Sequence, residues 1–127
     1  MPKSAYLGNA LINHSLRGIE YVKPDRLFVG LFLVSPDAVS LGSEVTAGEY
    51  IRTIVTMSPP QAKVTSNASA VTFPEALSPW GGIVAFGLFD AQIGGNLLYF
   101  GPFSTQKIVA AHDVLSFDVG QLVLVEN

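Results

Sequence analysis

The chain contains no cysteine. A disulfide framework, a thiol nucleophile and a thiolate metal site are therefore excluded. Charge is also scarce: charged residues make up 13% of the 127 positions, about half the usual share for a soluble domain. The seven Lys and Arg residues are scattered through a chain of net charge −3, which leaves no basic stripe for a nucleic acid. No run approaches the ~20 apolar residues of a membrane helix. The opening MPKSAYLGNALINHSL is interrupted by Asn9, Asn13 and His14 and has no clean apolar signal core. The expectation is folding and action in a reducing cytoplasm, or in a particle built there, with neither nucleic acid nor membrane as partner.

Apolar residues, by contrast, reach 49%. The length suits one domain over 1–127 with a sizeable core. So much apolar surface with so little charge predicts that other chains complete the exterior, as a homo-oligomer or a larger assembly. The alternative is a compact monomer faced with Ser, Thr, Asn and Gly.

Local patterning is organised around Phe73–Ser104. Two apolar, branched and aromatic runs, Ile83–Phe89 and Leu97–Phe103, flank a loop carrying Gly94, Gly95 and Asn96, residues that tolerate positive φ. This predicts a β-hairpin. A helix is predicted over about 4–17, capped by Ser4, with Leu7, Ala10, Leu11 and His14 on one face and Gly18 at its end. Arg26–Val34 reads as a central strand covered on both faces, with Gly30 marking a bulge or a close crossing. Asp37–Glu49 reads as a loop of about 13 residues, and Tyr50–Met57 as a half-exposed strand. Lys63–Thr65 and Ala70–Phe73 are short strands around Ser66-Asn67. Val114–Asp118 and Gln121–Val125 are a final pair joined through Val119-Gly120. The fold class is all-β: an antiparallel β-sandwich or jelly roll of about eight short strands, from about 26 to 125, with one N-terminal α-helix. A small barrel is the other candidate.

Candidate chemistry is thin. His14 and His112 stand about 100 residues apart with no acid or hydroxyl constellation specified around them, whereas a triad or metal site needs several converging groups. Glu75 near Trp80 imitates a raised-pKa acid but lacks a partner carboxylate. Gly81-Gly82 and Gly94-Gly95 lack the Lys-Ser/Thr or GxGxxG context of a phosphate loop. Asn67-Ala68-Ser69 matches a glycosylation acceptor. No enzyme, no cofactor and no metal is expected. Phe86, Phe89 and Phe100 read as core aromatics, and Trp80, in a Pro/Gly-rich turn, as an exposed one.

Several segments together resemble a family of small tailed-bacteriophage virion proteins: SAYLGNALINHSLRG, LFVGLFLVSPD, the Glu44–Arg52 segment, VTFPEA, SPWGGIVAFGLFDAQIGGNLLYFGPFS and DVLSFDVGQLVLV. Members are labelled tail-fibre or virion structural proteins, and similar jelly-roll proteins serve as capsid cement. The resemblance implies a structural protein of the virion, foremost a decoration protein on the capsid's outer surface that bridges major capsid subunits. A tail-tip or tail-fibre-associated protein contacting tail proteins is the alternative. A carbohydrate-binding module using Trp80 and Tyr99 is a third. Contacts to the major capsid protein or to copies of the chain itself are expected from the helix and the loops Asp37–Glu49 and Ser78–Gly82, through Tyr6, Leu7, Leu11, His14, Leu41, Val45, Tyr50, Trp80 and Tyr99.

Overall fold

The computed structural model describes residues 3–37, 40 and 42–126. Among the described residues, one helix, α1 (Ala5–Arg17), precedes nine strands: β1 (Leu27–Val34), β2 (Ser43–Glu44), β3 (Thr53–Val55), β4 (Val64–Ser66), β5 (Val71–Thr72), β6 (Gly81–Phe89), β7 (Leu97–Val109), β8 (Ser116–Phe117) and β9 (Val123–Val125). The main sheet runs β2-β1-β6-β7, with β3 pairing the first half of β1 beside β2. Every ladder is antiparallel. Two ribbons, β4-β9 and β5-β8, cover one face. The fold is an all-β sandwich, as the sequence predicts.

The main core lies between sheet and ribbons. Val29 and Leu31 of β1, Ile83, Phe86 and Leu88 of β6, and Val109 of β7 meet Val71, Phe73, Phe117, Leu122 and Leu124 from the ribbon side. Ile83 and Phe86 share this face although three residues apart. A bulge explains it: the register jumps from Ile83↔Lys107 to Ala85↔Pro102, and a bulge reverses which side chains face inward. On β7 the same break leaves Phe103–Gln106 without partners in the β6 ladder.

A second cluster, Phe32, Ala85, Phe89, Leu97 and Phe100, sits on the opposite face. That is why β1 reads as apolar without interruption. Gly30 and Gly87 are cross-strand partners, and aromatic rings lie against both. A Cβ on Gly30 would stand 2.7 Å from Phe89 Cε2, and one on Gly87 would stand 2.8 Å from Phe32 Cε2. The Gly30 expectation resolves as a close crossing.

Four expectations are corrected. Tyr50–Met57 contracts to β3 because Arg52 turns out of the ladder toward Glu44, and Met57 makes only an isolated bridge to Asn67. The loop Asp37–Glu49 contains β2, paired to Phe32 and Val34. The strand after the hairpin turn runs on to Val109, because the exposed polar residues Ser104–Gln106 lie in the bulged stretch. The last two strands do not pair with each other. Asn67 separates them: its side chain holds Asp118 O and Leu122 N, and its carbonyl accepts from Gly120 N. β8 then pairs with β5 and β9 with β4. The start of β7 is covered by the N-terminal segment, through a Lys3↔Tyr99 bridge and Ser4 N–H donating to Leu98 O at 2.9 Å.

Candidate interaction surface

Helix α1 starts at Ser4, whose hydroxyl accepts from Leu7 N–H at 3.2 Å, and stops at Gly18, in the left-handed region at φ 68°. Its expected inward face, Leu7, Ala10, Leu11 and His14, packs progressively less tightly along the helix. Leu7 is buried, Leu11 half-buried and His14 exposed. Beneath it lies an apolar groove of about 260 Å³ lined by Leu7, Leu11, Tyr21, Leu27, Leu98 and Leu124. Tyr6 is 44% exposed. The outward face is apolar too: Ile12 (55%), Leu16 (79%), Ile19 (45%) and Val22 (81%) are open to solvent along α1 and the segment after it. Sequence reasoning missed these four. The signal was present, since α1 carries large apolar residues on both sides, the pattern of a helix covered all round.

The other expected contact residues behave differently. Val45 is 4% exposed and belongs to the main core. Leu41 lies outside the described residues. Trp80 is 4% exposed, which corrects its placement in an exposed turn. Its backbone N–H donates to Val109 O, drawing it into the head of β6. Its ring meets Tyr50 edge-on at 5.5 Å and 88°, and its indole N–H donates to Glu49 Oε1 at 2.9 Å. Glu49, and not Glu75, is therefore the acid beside Trp80. Glu75 instead lies 3.2 Å from His112 Nδ1, with both side chains exposed.

Tyr50 donates its hydroxyl to Glu44 Oε2 at 2.6 Å and accepts from Leu31 N–H at 2.9 Å. Burial, and then the bond to Glu44, pushes its phenol well above the ordinary range. Glu44 also takes a bidentate pair from Arg52, both bonds 2.9 Å. The Arg52 guanidinium lies 3.5 Å from the Phe89 ring centroid and donates to Ala91 O at 3.0 Å and Gly94 O at 2.7 Å. This cluster locks the β6–β7 turn, whose tip presents Ile93 at 85% exposure. Tyr99 is half-buried and donates to Glu126, which also pairs with Lys3. Burial and then Glu126 raise its pKa.

Glu49 is the carboxylate with the strongest pH signature. The Trp80 indole N–H, ahead of backbone donors including Leu77 and Ser78 N–H, lowers its pKa from 4.5 to about 2. A depressed carboxylate pKa adds stability above the unfolded value that disappears as pH falls toward the folded one. Wild type is therefore expected to lose stability relative to Glu49→Gln between pH 4.5 and about 2. Urea-unfolding midpoints of the two proteins at stepped pH check this; a constant gap over that window refutes it.

Among the described residues, no three His, Asp or Glu side chains are grouped to hold a metal ion, and no helix is long and apolar enough to cross a membrane. What stands out is an apolar helix face and a braced hairpin tip, both open to a neighbour. A comparison with curated proteins finds no match. Residues 2–125 match the family described as "Podophage GP4 fiber I protein gp80". That match spans nearly the whole chain, so the protein belongs to the podophage GP4 fiber I protein gp80 family and is a structural component of a phage particle.

Proposed function

We propose that the protein is a non-catalytic subunit of the phage tail-fibre assembly, seated on a neighbouring virion chain through the outer face of α1 and the segment that follows. The observation that carries this reading is the unpartnered apolar stripe Ile12, Leu16, Ile19 and Val22. An isolated 13-residue helix with little of itself buried is marginal in water, and a second surface over the stripe would stabilise it. Stable specific contacts typically bury roughly 1,600 Å² in total, and repetition in a symmetric particle multiplies a modest affinity. The capsid-cement role expected from sequence would use the same kind of surface at a different place. The fibre description of the family favours the tail.

Immunogold labelling or cryo-EM of the intact virion tests the placement. Label at the tail is expected, and label spread over the head overturns it in favour of cement. Leu16→Glu tests the surface. Leu16 is 79% exposed, so the purified variant should unfold within about 0.5 kcal/mol of wild type. A charge desolvated in an apolar contact costs several kcal/mol, so incorporation into particles, measured by quantitative mass spectrometry, should fall at least ~10-fold. Normal incorporation rules the stripe out as the docking face.

A further inference from the structure

The bulge in β7 builds a second site far from α1. Gln106, in the bulged stretch, lays its side chain where a Cβ on Gly82 would sit, so Gly82 makes the bulge possible. Between this stretch and the β8–β9 turn lies a pocket of about 390 Å³ lined by Phe103, Ser104, Thr105, Lys107, Phe117 and Gln121, within the size range of small-ligand sites. Phe103 and Phe117 stack at 5.6 Å and 12° to form its wall. The Lys107 ammonium is held over both rings, 5.2 and 5.8 Å from their centroids. Among the described residues Lys107 has no carboxylate partner, and the hydroxyls of Ser104 and Thr105 make no hydrogen bond. Gln121 Oε1 accepts from Asp118 N–H at 2.6 Å, which fixes the amide and leaves its NH₂ free to donate. The pocket thus gathers one cation, two hydroxyls and one amide against an aromatic wall, with no acid in its lining.

We propose that this pocket binds a monoanionic sugar of the uronic-acid type, with Lys107 holding the carboxylate. One ammonium neutralises one negative charge, which suits a carboxylate better than a dianionic phosphate. Ser104, Thr105 and Gln121 can each exchange hydrogen bonds with ring hydroxyls, and the half-buried Phe103 gives the sugar an apolar contact beside them. Lys107 is paired with Ile83, six positions along β6 from Phe89, the partner of Leu97, where the N-terminal segment attaches, roughly 20 Å by strand rise. Success or failure here is therefore separate from the docking role of α1.

The test is a titration of the ¹⁵N-labelled full chain, following backbone amides of Ser104–Lys107 and the Gln121 side-chain amide. Sodium glucuronate should give saturable shifts at these positions. Methyl glucoside, acetate and inorganic phosphate should bind at least ~10-fold more weakly, and Lys107→Gln should weaken glucuronate ~10-fold, the loss of one charge-assisted hydrogen bond, with melting unchanged. Thr105→Val, at an exposed position, provides a second variant that leaves the pocket wall intact and should also weaken binding. The proposal is overturned by no saturable shift with glucuronate, by acetate or phosphate binding as tightly, or by unaltered affinity in both variants.

Discussion

Asn67→Ala is expected to destabilise the protein by ~3 kcal/mol and to lower its melting temperature by about 10 °C. Asn67 is fully buried. Its Nδ2 donates to Ser69 O and Asp118 O, and its Oδ1 accepts from Leu122 N–H, all at 2.9 Å. Truncation leaves an N–H and two carbonyls without these partners, and an orphaned buried polar group costs about 1–3 kcal/mol. It also removes the pin between the β4–β5 connection and the β8–β9 turn, so both ribbons that cover the main core loosen together. Asn67→Asp should be as harmful or worse, because a carboxylate would face two carbonyl oxygens in a buried site. Ser69→Ala, an exposed change in the same tripeptide, should move the melting temperature little. A thermal melt of the three variants decides this; Asn67→Ala within about 2 °C of wild type would mean that the pin is dispensable. The same burial answers the glycosylation pattern at Asn67-Ala68-Ser69: in the folded chain both amide hydrogens are engaged and no surface is open to a glycan.

What could be read in the sequence was governed by range. Signals contained within a few residues translated directly: the Ser4 cap and Gly18 stop of α1, the two glycines of the β6–β7 turn, at φ 67° and 70°, and the apolar run of β1. Features that depend on a residue far along the chain did not. Val119-Gly120 reads as a hairpin turn, yet Asn67, more than fifty positions earlier, inserts its side chain and sends β8 and β9 to different partners. Trp80 sits among Pro and Gly and reads as exposed, yet Glu49 and Tyr50 supply a polar partner and an aromatic edge that take it inside. Glu44 falls in what reads as a loop and Arg52 in what reads as a half-exposed strand, and they form a half-buried pair. For the surface, periodicity chose the Leu7–His14 face of α1 as the inner one: Leu7 is buried, Ala10 and Leu11 are half-buried, and only His14 is exposed. The composition held the better clue, since scarce charge and abundant apolar residues required large side chains to remain outside. Ile12, Leu16 and Val22 are among those that remain, beside Leu77, Ile93 and Ile108.

Arg52→Met should cost ~3 kcal/mol and loosen the β6–β7 turn selectively. The guanidinium does three jobs that no other side chain combines. It pairs both oxygens of Glu44, it donates to the turn carbonyls of Ala91 and Gly94, and it stacks on Phe89, which itself lies over Gly30. With side chains only 12% and 23% exposed, the Arg52–Glu44 pair is shielded enough that removing one partner strands the other charge. Methionine keeps the stem and part of the contact with Phe89, so the loss isolates the polar terms. Arg52→Lys should recover little, because a point charge cannot form the fork or reach two carbonyls at once. Combining Arg52→Met with Glu44→Gln should cost less than the sum of the single changes, since the stranded carboxylate is then gone. Amide exchange supplies the local readout: Asn96 N–H, bonded to Asp90 Oδ1 at 2.7 Å across the turn, should exchange faster in Arg52→Met, while Val29 and Leu31 in the centre of the sheet follow global stability. If the turn amides and the core amides accelerate by the same factor, Arg52 braces the whole sandwich and the turn has no separate dependence on it. If only the turn opens, the presentation of Ile93 is set by one cation, and a surface this mobile without it would lose its shape before the fold was lost.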